Sequence, residues 1–219
     1  MNNHQPLLDT IDPDLAGVIT GRRGLFLKAA LSLGALASAP VILAAVSTQT
    51  FAQGLPAQVV SVLNFALTLE YLEDEFYRTA LSEPAFIRAD SLAVFQQISR
   101  HETAHVAALK GVLGSAAVAK PEFDFTARGK YPDIFQNFKT FALVSQTFED
   151  TGVAAYKGQA PALTGGGALL TTALQIHSVE ARHAAEVRRV RGVKAWTSAF
   201  DKPMTKAQVL TAVKPFIVA

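Results

Sequence analysis

Two parts of this chain repeat one pattern of ionisable and aromatic residues, and the repeat limits what the chain can fold into. Glu70 is followed seven positions on by Tyr77, and Glu102-Thr-Ala-His105 begins 32 positions after Glu70. Glu149 is followed seven positions on by Tyr156, and Glu180-Ala-Arg-His183 begins 31 positions after Glu149. Seven residues is two helical turns and three is about one, so the paired side chains of each segment leave one face of a helix. Matching spacings imply two helical hairpins of matching length, each with Glu-x6-Tyr on one arm and Glu-x-x-His on the other. One Glu-x-x-His on an apolar helix says little. Two of them, each with its own Glu-x6-Tyr arm, are hard to produce by accident.

Apolar periodicity places these residues on four helices. Val59, Leu63, Ala66, Glu70, Glu73 and Tyr77 alternate spacings of four and three along a helix predicted from Leu55 to about Ala80. Ser82-Glu-Pro-Ala85 breaks it, and a second helix from Asp90 or Ser91 to about Val112 carries Phe95, Ser99, Glu102, His105 and Leu109 on one stripe. Residues 115–131, with Pro121 and Gly129, make a connection long enough to cross the length of a bundle. Pro132 suits the first turn of a third helix reaching about Lys157, whose stripe is Phe135, Phe138, Ala142, Ser145, Glu149, Gly152 and Tyr156. A short loop follows, with Thr164 as candidate N-cap of a fourth helix carrying Leu170, Ala173, His177, Glu180, His183 and Val187. Thr205–Val213 is a short amphipathic C-terminal helix. The predicted fold is all-α: an antiparallel four-helix bundle with a long crossover between helices 2 and 3, plus a short C-terminal helix.

On each stripe the middle is polar and the flanks are apolar. Carboxylates on an inward seam are costly to bury unless something positive meets them. Four carboxylates and two imidazoles supply hard oxygen and borderline nitrogen donors for two divalent metal ions, with two carboxylates able to bridge. Left alone, the four glutamates would repel one another and oppose burial. The chain has no cysteine, which excludes disulfides, thiol nucleophiles, iron–sulfur clusters and thiolate-bound zinc. Met1 and Met204 are the two methionines, so none lies within the bundle to ligate a haem. A net charge of +2 gives no reason to expect nucleic acid as a partner.

The segments Asn64-Phe-Ala-Leu-Thr-Leu-Glu-Tyr-Leu-Glu-Asp-Glu-Phe-Tyr77, Phe148-Glu-Asp-Thr-Gly-Val-Ala-Ala-Tyr156 and Val179-Glu-Ala-Arg-His183 resemble the ferritin-like superfamily. More narrowly, they are similar to exported bacterial ferritin-like domain proteins related to desiccation-associated proteins. The resemblance spans roughly Leu55 to Arg191. It implies that Glu70, Glu102, His105, Glu149, Glu180 and His183 are metal ligands. Tyr77 and Tyr156 become their hydrogen-bond partners and the candidate catalytic side chains. The cofactors it implies are two divalent ions, iron or manganese, with oxygen or peroxide as reaction partner. The competing function is non-catalytic: a metal-binding or desiccation- and stress-protective envelope protein whose site is structural. A homo-oligomer is compatible with either.

Other polar residues on the helices invite plainer roles. Glu73 is expected beside the ligands or in solvent, since its repeat mate is Gly152, and Glu75 at the surface. His101 points about 100° away from Glu102, toward partial exposure. His177 is expected to be a hydrogen-bonded core histidine, with an extra ligand as the other possibility. The phenylalanines and Trp196 are expected to be packing material.

Residues 1–52 have another character. Gly21-Arg-Arg-Gly-Leu-Phe-Leu-Lys28 precedes an apolar run from Ala29 to Val46, and Thr50-x-Ala52 offers a cleavage site. A basic segment, an apolar segment and a small-residue end make an export signal. The paired arginines resemble a twin-arginine signal, which implies export of the folded protein, with cofactor loaded, to the periplasm or cell envelope. An uncleaved membrane anchor is the alternative. The fold proper is then expected to span 53–219.

Overall fold

The computed structural model describes residues 54–218. Four long helices, α1 (Ala57–Ser82), α2 (Ala89–Leu113), α3 (Phe138–Gln159) and α4 (Ala168–Val190), are followed by a short α5 (Lys206–Val213). The two domain halves are hairpins: α1 packs along α2, and α3 along α4. The hairpins meet through α1 against α3 and α2 against α4. Tyr77 reaches Glu149 while Tyr156 reaches Glu70, so α1 and α3 run in opposite directions. Since α2 reverses α1 and α4 reverses α3, the two middle helices point the same way. That direction forces the chain between Leu113 and Phe138 to travel the full length of the bundle. No helix among the described residues is long and apolar enough to cross a membrane. The proposed export segment lies outside the described residues.

Two helix starts fall later than the residue pattern predicts. Pro132 sits in a turn, and α3 begins at Phe138, where Asn137 in an extended conformation accepts the Lys139 amide at 3.0 Å. A proline only permits a helix start, whereas an Asn side chain satisfies an otherwise orphaned amide. Thr164 does not cap α4 because its hydroxyl donates back to the Pro161 carbonyl at 2.7 Å. The helix starts instead after Gly167, whose φ of +51° favours glycine. The α5 expectation holds to within a residue. Thr205 and Gln208 form a reciprocal capping box there.

The crossover is held at its start by a side chain of the bundle and in its middle by the C-terminal backbone. Asn64 of α1 donates to the Ala116 carbonyl and accepts the Val118 amide, both at 2.8 Å. Further on, Asp124 N–H donates to Phe216 O at 2.9 Å and Val218 N–H donates to Glu122 O at 3.0 Å, tying crossover to C-terminus.

The core has two apolar ends and a polar middle. One end is aromatic: Phe76, Tyr77, Phe95, Phe141 and Phe148 are buried together, with Phe76 centred 5.0–5.1 Å from Phe148 and Phe141. The other end is aliphatic, with Leu63, Leu67, Leu109, Leu113, Leu163 and Ile176. Burying each such large side chain contributes about 1.5–3 kcal/mol, enough to hold a charged layer that would not assemble alone. Trp196 and Phe200 depart from the packing expectation. They are 77% and 85% exposed, because the segment after α4 leaves the bundle before any helix can turn them inward.

Candidate metal centre

The polar middle collects one residue or pair from each helix. α1 contributes Glu70, α2 Glu102 and His105, α3 Glu149, and α4 Glu180 and His183, all buried. All four glutamates are 0% exposed. The helices place them there because each stripe is apolar toward its ends, and the two ends of the core must bury those residues. The six side chains form two groups whose donor atoms lie within 4.8 Å of one another. One is Glu70, Glu102, His105 and Glu180. The other is Glu102, Glu149, Glu180 and His183. Glu102 and Glu180 belong to both.

The imidazoles point into these groups through Nδ1. His105 Nδ1 lies 3.2, 3.1 and 3.0 Å from carboxylate oxygens of Glu70, Glu102 and Glu180. His183 Nδ1 lies 2.9, 3.4 and 3.7 Å from those of Glu102, Glu149 and Glu180. Yet Glu102 Oε1, Glu149 Oε2, both Glu180 oxygens and His183 Nδ1 are buried without a hydrogen-bond partner. His105 Nδ1 makes hydrogen bonds to Glu70 and Glu102, but around His183 Nδ1 the separations are short and the lone pairs are not aligned on an N–H bond. They face a shared space, as donors around a cation do. Among the described residues, no lysine or arginine forms an ion pair with any of the four glutamates. Donor set, burial and orphaned atoms all fit divalent cations.

Electrostatics in the metal-free layer divide the carboxylates. Burial, with Glu180 next, pushes Glu102 up to about 8. Burial also pushes Glu149 up to about 7, against the pull of His183. Burial acts the same way on Glu180, but the imidazoles of His105 and His183 more than reverse it, leaving it at about 2. Burial disfavours charge on both histidines, but the carboxylates facing them win, Glu70 foremost for His105 and Glu149 for His183, and raise both. Without cations, this layer thus favours bound protons.

The tyrosines link the hairpins. Tyr77 of α1 donates to Glu149 Oε1 of α3, and Tyr156 of α3 donates to Glu70 Oε1 of α1. The two bonds are related by the same approximate two-fold symmetry as the sequence repeat. Burial, and then the adjacent glutamate, raises both phenols well above their ordinary value, so both stay protonated donors.

Of four further polar residues, Glu73 and His101 lie where expected, beside the ligands and partly exposed, while His177 and Glu75 differ. Glu73 is buried beside the layer, the first of its two expected places. Burial, followed by Glu180 and the other three glutamates, raises it well above the usual carboxylate range. It occupies room that its repeat mate leaves free, since a Cβ at Gly152 would lie 3.3 Å from Glu73 Oε1. His101 is half-buried, with Nδ1 2.9 Å from His183 Nε2. The angle of about 100° that separates it from Glu102 leaves it partly exposed, as expected, and also brings its ring to the neighbouring α4, a contact that spacing along one helix does not show. His177 is half-buried and its Nε2 finds no hydrogen-bond partner, contrary to the expected bonded core histidine. It belongs to neither metal-holding group. Glu75, expected at the surface, is half-buried and pairs with Lys120 of the crossover.

A four-helix bundle with a long crossover and a buried glutamate–histidine layer defines the ferritin-like class. The ferritin-like domain family matches residues 58–193, and the chain belongs to that family. Among curated proteins no relative matches it.

Proposed function

We propose that this protein holds two divalent metal ions, iron or manganese, in the bundle core and uses them in metal oxidation or oxygen or peroxide chemistry. The observation that carries the proposal is the sharing of Glu102 and Glu180 between two four-residue groups, which suits two adjacent cations bridged by carboxylates. Glu70 and His105 would complete one position, and Glu149 and His183 the other. Such a pair, when bound, supplies one-electron redox chemistry toward oxygen or peroxide. The chain's own part is positional. Tyr77 and Tyr156 hold Glu149 and Glu70 in place through protonated hydroxyls. The aromatic and aliphatic ends of the core exclude water from the layer. We further propose that residues 1–52 direct the folded protein through twin-arginine export, from the paired arginines and the apolar run after them.

The test is anaerobic titration with Fe(II) or Mn(II), followed by oxygen or peroxide. Binding of two ions with turnover supports the redox function. Stoichiometric binding that raises the melting temperature without turnover supports the protective, structural alternative instead. The combined variant Glu180→Ala, His183→Ala should lose one ion and hold the other more weakly. Unchanged binding of two ions in that variant would show the ligand set to be wrong. Elemental analysis of protein recovered from the cell envelope tests metal and location together.

A further inference from the structure

The internal repeat aligns Glu102 with Glu180, and therefore His101 with Val179. His101 has no counterpart, so it breaks the equivalence of the two metal positions. Its Nδ1 lies 2.9 Å from His183 Nε2, with ring planes 18° apart and centroids 5.1 Å apart. That centroid separation is about the nitrogen–nitrogen distance plus the two ring radii, so the rings meet edge to edge and nearly coplanar. In a neutral imidazole one nitrogen carries the hydrogen and the other a lone pair. His183 Nδ1 faces three carboxylates without a hydrogen bond, which makes it the nitrogen aimed at a cation. The hydrogen then belongs on His183 Nε2 and is donated to His101 Nδ1. This leaves the hydrogen of His101 on its own Nε2. Among the described residues, His105 has no such partner: its hydrogen bonds, to Glu70 and Glu102, run from Nδ1 alone.

We propose that His101 is a positioning residue that locks His183 in the Nε2–H tautomer and makes the Glu102/Glu149/Glu180/His183 position the tighter of the two. The proposal rests on the dinuclear function above. Removing a hydrogen-bond partner behind a metal-binding histidine typically costs 10–100-fold in affinity.

Anaerobic Mn(II) titration of the full chain, with free Mn(II) read by electron paramagnetic resonance, tests it. The wild type should bind its first ion more tightly than its second. His101→Phe should weaken the tighter step 10–100-fold, leave the weaker step in place and keep the helical circular dichroism of the metal-free protein. His101→Asn, whose Oδ1 accepts the same hydrogen, should restore most of the loss. In the zinc-loaded protein, the exchange-protected proton on His183 Nε2 should be seen by NMR in the wild type and be lost in His101→Phe. A wild type binding two ions whose steps are both unmoved by His101→Phe, or moved equally, overturns this proposal alone. A wild type binding a single ion overturns the dinuclear function and this proposal with it.

Discussion

Tyr77 and Tyr156 each belong to one hairpin and donate to a glutamate of the other, so each bond fastens the halves as well as orienting a carboxylate. Both rings are buried, and no water can replace a lost hydroxyl. Tyr156→Phe should destabilise the metal-free protein by about 1–3 kcal/mol, the cost of leaving a buried polar group without its partner. Urea unfolding measures the loss. Tyr77→Phe should behave alike if the two-fold relation is as close in energy as in geometry. Glu73 makes the opposite case. Burial and four neighbouring glutamates keep it protonated, and an amide matches a protonated carboxyl in size. Glu73→Gln should therefore leave the metal-free melting temperature equal or higher and the metal stoichiometry unchanged. Loss of a bound ion in that variant would make Glu73 a ligand.

At the level of elements, α3 is the helix most constrained by its neighbours. Met204 N–H donates to the Ala154 carbonyl at 3.0 Å, laying the segment before α5 against α3. A Cβ at Gly158 would lie 1.9 Å from the Met204 carbonyl oxygen, and that neighbour is backbone that cannot rotate away. Gly158→Ala should cost about 1–3 kcal/mol through forced displacement of this strap. Its unfolding should be measured alongside Gly152→Ala, whose Cβ would meet side chains alone, Glu73 Oε1 at 3.3 Å and Glu180 Oε2 at 3.5 Å, and which should cost less. Helix existence and face are legible in the sequence because the apolar stripe repeats every three or four residues. The starts of α3 and α4 were not, because they turn on which hydrogen bond wins. Asn137 captured an amide, and Thr164 gave its hydroxyl to Pro161.

Across the whole molecule, the buried layer couples stability to pH and metal. In the metal-free fold Glu102 and Glu149 titrate near 8 and 7 against an ordinary 4.5. The folded state then holds protons that the unfolded state has released. Stability from this source falls as pH rises from about 4.5 through 7–8. The raised histidines act in the same direction: their contribution is full below about 6.5 and declines progressively as pH rises from there toward their raised folded values. Glu180, lowered to about 2, contributes fully above about 4.5 and loses its share only as pH falls below that value. The metal-free melting temperature should thus decline between pH 5 and 8. Bound cations replace those protons, so the metal-loaded protein should not follow, and the gap between the two should widen with pH. Calorimetry with and without Mn(II) at pH 5, 6.5 and 8 checks this. A constant gap would mean that cations do not displace these protons.

The sequence by itself determined the four helices, the pairing of hairpins and the six residues of the polar layer. All of these follow from spacing along a helix, and spacing is local. Only the tertiary structure decided that Glu102 and Glu180 sit in both groups, that each tyrosine serves the opposite hairpin, and that Glu73 is buried against Gly152. It also turned His101 toward His183. A helix's sequence states the angle at which a side chain leaves it, whereas what waits at that angle depends on the neighbouring helix.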